Sequence, residues 1–274
     1  MNLTPTEPIL VISDLHLGHK VCAVRSPGEL EPLMAHARTL VLNGDTAEMR
    51  TAADRVVGRQ AAAEVARIAH GYGTKVIFIN GNHDPTISKQ DHLDLADGNV
   101  LVTHGDILFL GVAPWSPKAK AFRRIHRRVL TDIGTEALYK FEKRLLATKR
   151  TAIKLQMLER PLTRGRFPIL RLVARQFWPP YRPFMIMKAW IDTPRLATEL
   201  LEGFRPQTRF IIIGHTHRRG VWQRHNRVVI NTGGYVPSVS ALAVLIEGKK
   251  LEVRRVDRVD QKLVLGKLKA RFEA

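Results

Sequence analysis

The chain has 274 residues, 45% of them hydrophobic and 25% charged, the proportions of a globular protein with room for one large α/β domain carrying a sizeable insertion. Its one cysteine, Cys22, excludes an internal disulfide and a zinc site built from cysteines, and a reducing compartment fits. Lysine and arginine total 44 against 25 acidic residues, a net charge of +19 that calls for an anionic partner: nucleic acid, an anionic membrane surface or a phosphorylated substrate.

The opening MNLTPTEPILVIS lacks the basic region and long apolar run of a signal peptide, and no stretch reaches the ~20 apolar residues of a spanning helix. ILVIS (9–13) predicts a strand and leads into Asp14 and His16. TLVLNGD (39–45) predicts a second, ending at Asp45. AADRVVGRQAAAEVARIAHGYG (52–73) has helical spacing, closed by Gly71 and Gly73. KVIFINGNHD (75–84) and NVLVTHGD (99–106) read as the third and fourth strands. Beyond Gly111 the pattern changes. Residues 120–160 read as helix, with stripes at Phe122, Ile125 and Val129 and at Leu138, Phe141 and Leu145. RFPILRLVARQFWPPYRPFMIMKAW (166–190) follows, rich in proline and aromatics. From Lys118 to Arg182 there are 18 basic and four acidic residues, so this insert carries most of the net charge. Strands resume with RFIIIGHTH (209–217), RVVINTGG (227–234), ALAVLIE (241–247) and KLEVRRV (250–256), short β-branched runs bounded by Gly, Asn and Asp.

The chemistry collects where the strands end. Strand one delivers Asp14 and His16, and the second delivers Gly44-Asp45. The third gives Gly81-Asn82-His83-Asp84, the fourth His104, and the strand after the insert Gly214-His215-Thr216-His217. In open α/β sheets ligands bind beyond the carboxyl ends of the strands, so these clusters can converge. Carboxylate, amide and imidazole donors suit Mn, Fe, Zn and similar divalent ions. The spacings Asp14-x-His16 and His215-x-His217 put both members on one face of an extended chain. Taken singly, each cluster has a structural explanation. Asp after a strand often caps a helix or forms a turn, Asn82 to Pro85 could be only a turn, and paired histidines can sit on a solvated edge. The five together, in this order, point to one shared site.

Asp14-Leu15-His16, Gly44-Asp45-Thr46-Ala47-Glu48, Gly81-Asn82-His83-Asp84, His104 and Gly214-His215-Thr216-His217 resemble the pattern of the calcineurin-like metallophosphoesterase superfamily from about Ile9 to Asn231. The resemblance implies a four-layer αββα sandwich spanning 1–274 as a single domain, with a basic, mainly helical insertion (lid) over 112–208. It implies two divalent ions, Mn²⁺ foremost and Fe, Zn or Mg as alternatives. One would be held by Asp14, His16, Asp45 and His217, the other by Asp45, Asn82, His104 and His215, with Asp45 bridging. Metal-activated water would then hydrolyse a phosphoester or pyrophosphate bond. His83 would stand near the leaving group as a catalytic residue, oriented by Asp84. His19, Glu48, Arg218 and Arg219 lie close by in sequence; each could border the site or be merely solvated.

The spellings SDLHLG, NGD and HGD look most like the UDP-2,3-diacylglucosamine pyrophosphohydrolase group, which acts on a lipid A precursor and carries a basic, apolar helical lid at the same place. The insert mixes arginines with Trp115, Phe177, Trp178, Tyr181, Phe184, Met185, Met187 and Trp190, a composition suited to an anionic membrane surface or to a self-packed core. The expected location is cytoplasmic, peripheral on the inner face of the membrane, with no obligate protein partner. Two other readings stand beside a phosphorylated, lipid-linked substrate. One is a nuclease or nucleotide phosphodiesterase, since +19 also suits a nucleic-acid backbone. The other is a non-catalytic docking module of the same fold, against which the completeness of the motif set argues.

Overall fold

A computed structural model describes residues 4–19, 22–157, 179–235 and 240–274. The expected Phe177 and Trp178, with most of the proline- and aromatic-rich stretch, lie outside the described residues.

Two sheets form the centre. The strands of the first are β1 (Ile9–Ile12), β2 (Thr39–Asn43), β3 (Lys75–Ile79), β9 (Ala241–Glu247), β10 (Lys250–Val259) and β11 (Lys262–Glu273), in the order β11-β10-β9-β1-β2-β3. The second, β4-β5-β6-β8-β7, comprises β4 (His92–Leu95), β5 (Val100–Thr103), β6 (Phe210–Ile213), β7 (Gly220–Arg224) and β8 (Arg227–Asn231). β1, β2 and β3 run parallel, as do β5, β6 and β8. Parallel interior strands are covered on both faces, which is why ILVI and FIII read as unbroken apolar runs.

The strand period of two divides those runs between two cores. Val11, Val41, Ile77, Val102, Phe210 and Ile212 point into the space between the sheets. Leu10, Ile12, Leu40 and Leu42 point outward, against helices α1 (Glu31–Met34) and α2 (Ala52–Gly71). On the far side, Leu101, Ile211, Ile213 and Val229 meet α4 (Phe141–Gln156) and α5 (Arg182–Phe204) through Phe141, Leu145, Ala197 and Leu201. The expected αββα sandwich is thus present. Its fourth layer is built by helices from within the insertion. α3 (Ala119–Ile133) lies outside them, seated on α4.

The helix boundaries have local causes. α2 starts at Thr51, whose hydroxyl accepts from the Asp54 amide while the Asp54 carboxylate accepts from the Thr51 amide. The continuous helix expected over 120–160 is instead interrupted. Gly134, at φ 87°, ends α3, and a 3₁₀ turn over Thr135–Leu138 precedes α4. Leu138 is consequently exposed rather than on the stripe with Phe141 and Leu145. β4, β7 and β11 add to the strands expected from sequence.

Candidate active site and metal centre

The five motif loops leave the carboxyl ends of β1, β2 and β3 in one sheet and of β5 and β6 in the other. A buried amide joins the two sheets at that end. Asn43, the last residue of β2, donates from Nδ2 to the carbonyls of Thr103 (2.9 Å) and Ile212 (3.2 Å). Asn231, closing β8, ties down the last loop by donating to the Gly214 carbonyl at 2.8 Å and accepting from the Gly233 amide at 2.9 Å. Neither asparagine was singled out from sequence. The signal was a polar amide directly after an apolar run, LVL in β2 and VVI in β8, where burial calls for a built-in hydrogen-bond partner.

The backbone bends sharply under the site. Asp14, His16, Asp45, His215 and His217 all have φ between 48° and 68°, a region that non-glycine residues rarely enter and that costs about 1–3 kcal/mol each. Gly44 and Gly214 allow the loops to touch. A Cβ on Gly44 would come within 2.4 Å of the His104 ring, and one on Gly214 within 2.0 Å of the Asp14 carboxylate.

All seven expected ligands gather. Asp14, His16 and His217 bring one donor atom each to within 4.8 Å of one another, and so do Asp45, His104 and His215. His217 Nε2 lies 3.3 Å from Asp14 Oδ1 and 3.0 Å from His16 Nε2. Asp45 Oδ2 stands between the two groups, 3.4 Å from His104 Nε2 and 3.8 Å from His16 Nε2. Asn82 Oδ1 joins the second group, 3.2 Å from His104 Nε2.

The surroundings of the imidazoles fit cation binding. His104 Nδ1 faces the Asn43 carbonyl at 3.2 Å and His215 Nε2 faces the Val112 carbonyl at 2.9 Å. A ring that donates one N–H to a carbonyl presents its other nitrogen as a lone pair, the usual outer support of a metal-bound histidine. Burial, helped by neighbouring imidazoles, pushes both His16 and His215 down to about 3, so each is neutral and ready to ligate. Burial raises Asp45, but His104, His83 and His16 hold it well below the usual carboxylate range. Burial also presses His104 down, yet the Asp45 and Asp14 carboxylates lift it well above its ordinary value. That proton sits among carboxylates where a cation would take its place. The donor set therefore fits two divalent ions sharing Asp45.

His83 borders both groups, its Nε2 3.9 Å from Asp45 Oδ2 and its amide donating to Asp45 Oδ1 at 2.8 Å. The expectation that Asp84 orients His83 is corrected. Asp84 turns away, fully buried, and accepts from the backbone amides of Asp45 (3.0 Å), Gly81 (2.9 Å) and Ala47 (3.1 Å). It fixes the two loops that carry Asp45 and Asn82. Burial and the Asp45 charge push it up to about 7, with the amide donors pulling the other way. The partner of His83 is Glu48, whose Oε2 lies 3.0 Å from Nδ1. Arg50 grips Glu48 in turn, with Nε 2.8 Å and Nη2 3.0 Å from its two oxygens. Burial and Arg50 lower His83, but Asp45 and Glu48 outweigh them and its net shift is upward.

His19 Nε2 lies 3.9 Å from Glu48 Oε2, at the same rim. Arg218 is exposed, its guanidinium 5.9 Å from the ring centroids of both Trp190 and Trp222. The insertion reaches the site at several points. Gln156 Nε2 donates to the His83 carbonyl at 3.1 Å, and Trp190 Nε1 to the Thr216 carbonyl at 2.9 Å. Trp115 is partly buried, its ring 5.0 Å from that of His215, while Tyr181, just before α5, and Phe184, Met187 and Trp190 on it remain exposed. The insert aromatics thus divide between core and surface. No helix among the described residues is long and apolar enough to cross a membrane.

The family profile described as calcineurin-like phosphoesterase matches residues 7–219. No curated protein matches the chain. Among solved structures, a dimetal phosphatase from Danio rerio is 12% identical over 96% of this chain and 99% of its own, with a TM-score of 0.47. Vacuolar protein sorting 29 from Cryptosporidium parvum is 12% identical over 99% of this chain and 100% of its own, with a TM-score of 0.46. A conserved uncharacterized protein from Streptococcus pneumoniae is 13% identical over 97% of both chains, with a TM-score of 0.41.

Proposed function

The chain belongs to the calcineurin-like phosphoesterase family, and on that premise we propose that it is a binuclear metal-dependent hydrolase of a phosphoester or pyrophosphate. The observation that carries this reading is the position of Asp45, whose Oδ2 faces His104 at 3.4 Å and His16 at 3.8 Å, members of the two separate donor groups. A pair of divalent ions supplies an activated water near neutral pH and a clamp for the attacking and leaving oxygens. The oxygen and imidazole donors suit Mn²⁺, with Fe, Zn and Mg as alternatives. In this scheme Asp14, His16, Asp45 and His217 hold one ion, and Asp45, Asn82, His104 and His215 the other. In the same scheme His83 Nε2, 3.9 Å from Asp45 Oδ2, would donate a proton or hydrogen bond to the leaving oxygen, with Glu48 holding the ring from Nδ1 at 3.0 Å. The test is hydrolysis of bis(p-nitrophenyl) phosphate by protein loaded with Mn²⁺. Asp45→Asn should cost more than the ~10–100-fold of losing an outer hydrogen-bond partner. Native protein that neither binds metal nor turns over the ester would instead support the docking reading.

For the substrate we propose a lipid-linked nucleotide of the UDP-2,3-diacylglucosamine type, met at an anionic membrane surface. Support comes from the motif spelling, from the lysine and arginine face of α3 (Lys120, Arg123, Arg124, Arg127, Arg128) and from the exposed Phe184 and Met187 of α5. Cations with apolar side chains suit an interface of headgroups and acyl chains. Incubation with UDP-2,3-diacylglucosamine in mixed micelles should release UMP. Turnover no faster than that of bis(p-nitrophenyl) phosphate would remove this substrate and leave the reaction class intact. Preferential cleavage of single-stranded DNA would point to the nuclease reading.

A further inference from the structure

Trp190 is set apart from the other exposed apolar residues of α5 by what it holds. Its indole N–H donates to the Thr216 carbonyl at 2.9 Å, so the ring is fixed although 36% of the residue remains exposed. Thr216 lies between His215 and His217, which belong to the two different donor groups. The ring is therefore anchored one residue from each proposed ion site. Satisfying the N–H inside the protein leaves an aromatic face, rather than a polar edge, for a ligand. The Arg218 guanidinium stands over the rings of both Trp190 and Trp222, 5.9 Å from each centroid, at the outer limit of a cation–π contact. Trp222 itself packs against Gly220, where an added Cβ would meet the ring at 2.3 Å. Arg218 is exposed and forms no salt bridge with a carboxylate among the described residues. A fixed indole and a guanidinium without a carboxylate partner, next to a donor set that would hold phosphate-binding ions, make the elements of a nucleotide subsite: π-stacking for the base, cation for the phosphate.

Building on the phosphoesterase reading, we propose that Trp190 stacks the nucleobase of the substrate and that Arg218 contacts a phosphate between that base and the metal centre. This deepens the reading by assigning where the nucleoside half lies. The donor groups around Asp45 would still hold the reacting ester; Trp190 sets which esters bind well. Stacking tolerates any base, so the subsite selects a planar heterocycle over a bare sugar phosphate and discriminates weakly among bases.

The test separates stacking from mere support of the histidine loop. Uridine 5′-monophosphate and ribose 5-phosphate are titrated calorimetrically into protein loaded with Mn²⁺, using the native chain, Trp190→Leu and Trp190→Phe. The phenylalanine variant loses the N–H to Thr216 but keeps an aromatic face, so comparing the two variants isolates the stack. The native chain should bind the nucleotide about tenfold more tightly than the sugar phosphate. Leucine should bring the two within about twofold, and phenylalanine should keep most of the preference. A native chain with no preference, or a leucine variant that retains it, overturns the proposal. So does an equal weakening of both ligands in both variants, the sign of a structural role alone. Hydrolysis of thymidine 5′-(p-nitrophenyl phosphate) and of p-nitrophenyl methyl phosphate, which share a leaving group, gives the second readout. Trp190→Leu should raise KM about tenfold more for the thymidine ester than for the methyl ester, whereas Trp190→Phe, which loses the same hydrogen bond to Thr216, should shift the two esters alike. Loss of all hydrolysis in the native chain, with the nucleobase preference intact, would count against the phosphoesterase reading rather than against the subsite.

Discussion

Sequence neighbours are not always structural partners. Asp84 follows His83 directly, yet its carboxylate serves the amides of Asp45, Ala47 and Gly81, while His83 takes Glu48, 35 positions earlier. Adjacent side chains leave the backbone in divergent directions, so the acid that orients a histidine commonly comes from another loop. Glu48→Gln should retain bound metal and lower turnover. Glu48 and Asp45 raise His83, so its protonated form persists to higher pH. Removing the Glu48 charge lowers that value, and the alkaline limb of the kcat profile should move to lower pH. An unmoved limb would exclude His83 as the proton donor. Gly44 invites a second test. Alanine there must hold φ 78° with its Cβ 2.4 Å from the His104 ring, so His104 has to move. Gly44→Ala should bind about one ion fewer per chain by elemental analysis, with far-UV circular dichroism unchanged.

Helix breaks and edge strands were the elements least visible beforehand. The periodicity over 120–160 is helical throughout, but Gly134 at φ 87° divides it, and α3 folds back on α4. β11 (KLVLGKLKARFE) does alternate, but register shifts opposite Val253, Arg254 and Val256 interrupt its pairing with β10. The α3–α4 seam contains His126, buried with Nδ1 2.9 Å from Thr151 Oγ1. Burial, with Arg144, pushes it down to about 4, so the fold keeps it neutral. The unfolded chain takes up the proton near its ordinary value of 6.5, and the native one only near 4. Stability should therefore fall as pH drops through that window and be unaffected by this group above it. The loss in melting temperature between pH 7 and pH 5 should be smaller in His126→Gln than in the native chain; an equal loss would place the acid sensitivity elsewhere.

At the scale of the whole molecule, two parallel sets of strands aim their carboxyl ends at one edge of the sandwich. Asn43 fastens the sheets together there. Buried carboxylates and imidazoles crowd that edge, so ions that neutralise the cluster should stabilise the fold. Binding at 100 times Kd contributes about 2.7 kcal/mol, or roughly 5–10 °C in a chain of this size. Mn²⁺ added to chelator-treated protein should raise the melting temperature by that order in differential scanning calorimetry, and Asp45→Asn should lose most of the rise. A shift that persists in Asp45→Asn would place the ions elsewhere. The sequence by itself determined the alternation of buried strands and helices and the residues at the strand ends. Those signals are local: apolar periodicity, a glycine at a turn, a carboxylate two residues from an imidazole. Only the tertiary structure decided the pairings across the chain. Among these are Glu48 with His83, Trp190 with the Thr216 carbonyl, and the placement of insertion helices as the fourth layer. Such contacts are set by how sheets and helices pack in space, which no short window of residues encodes.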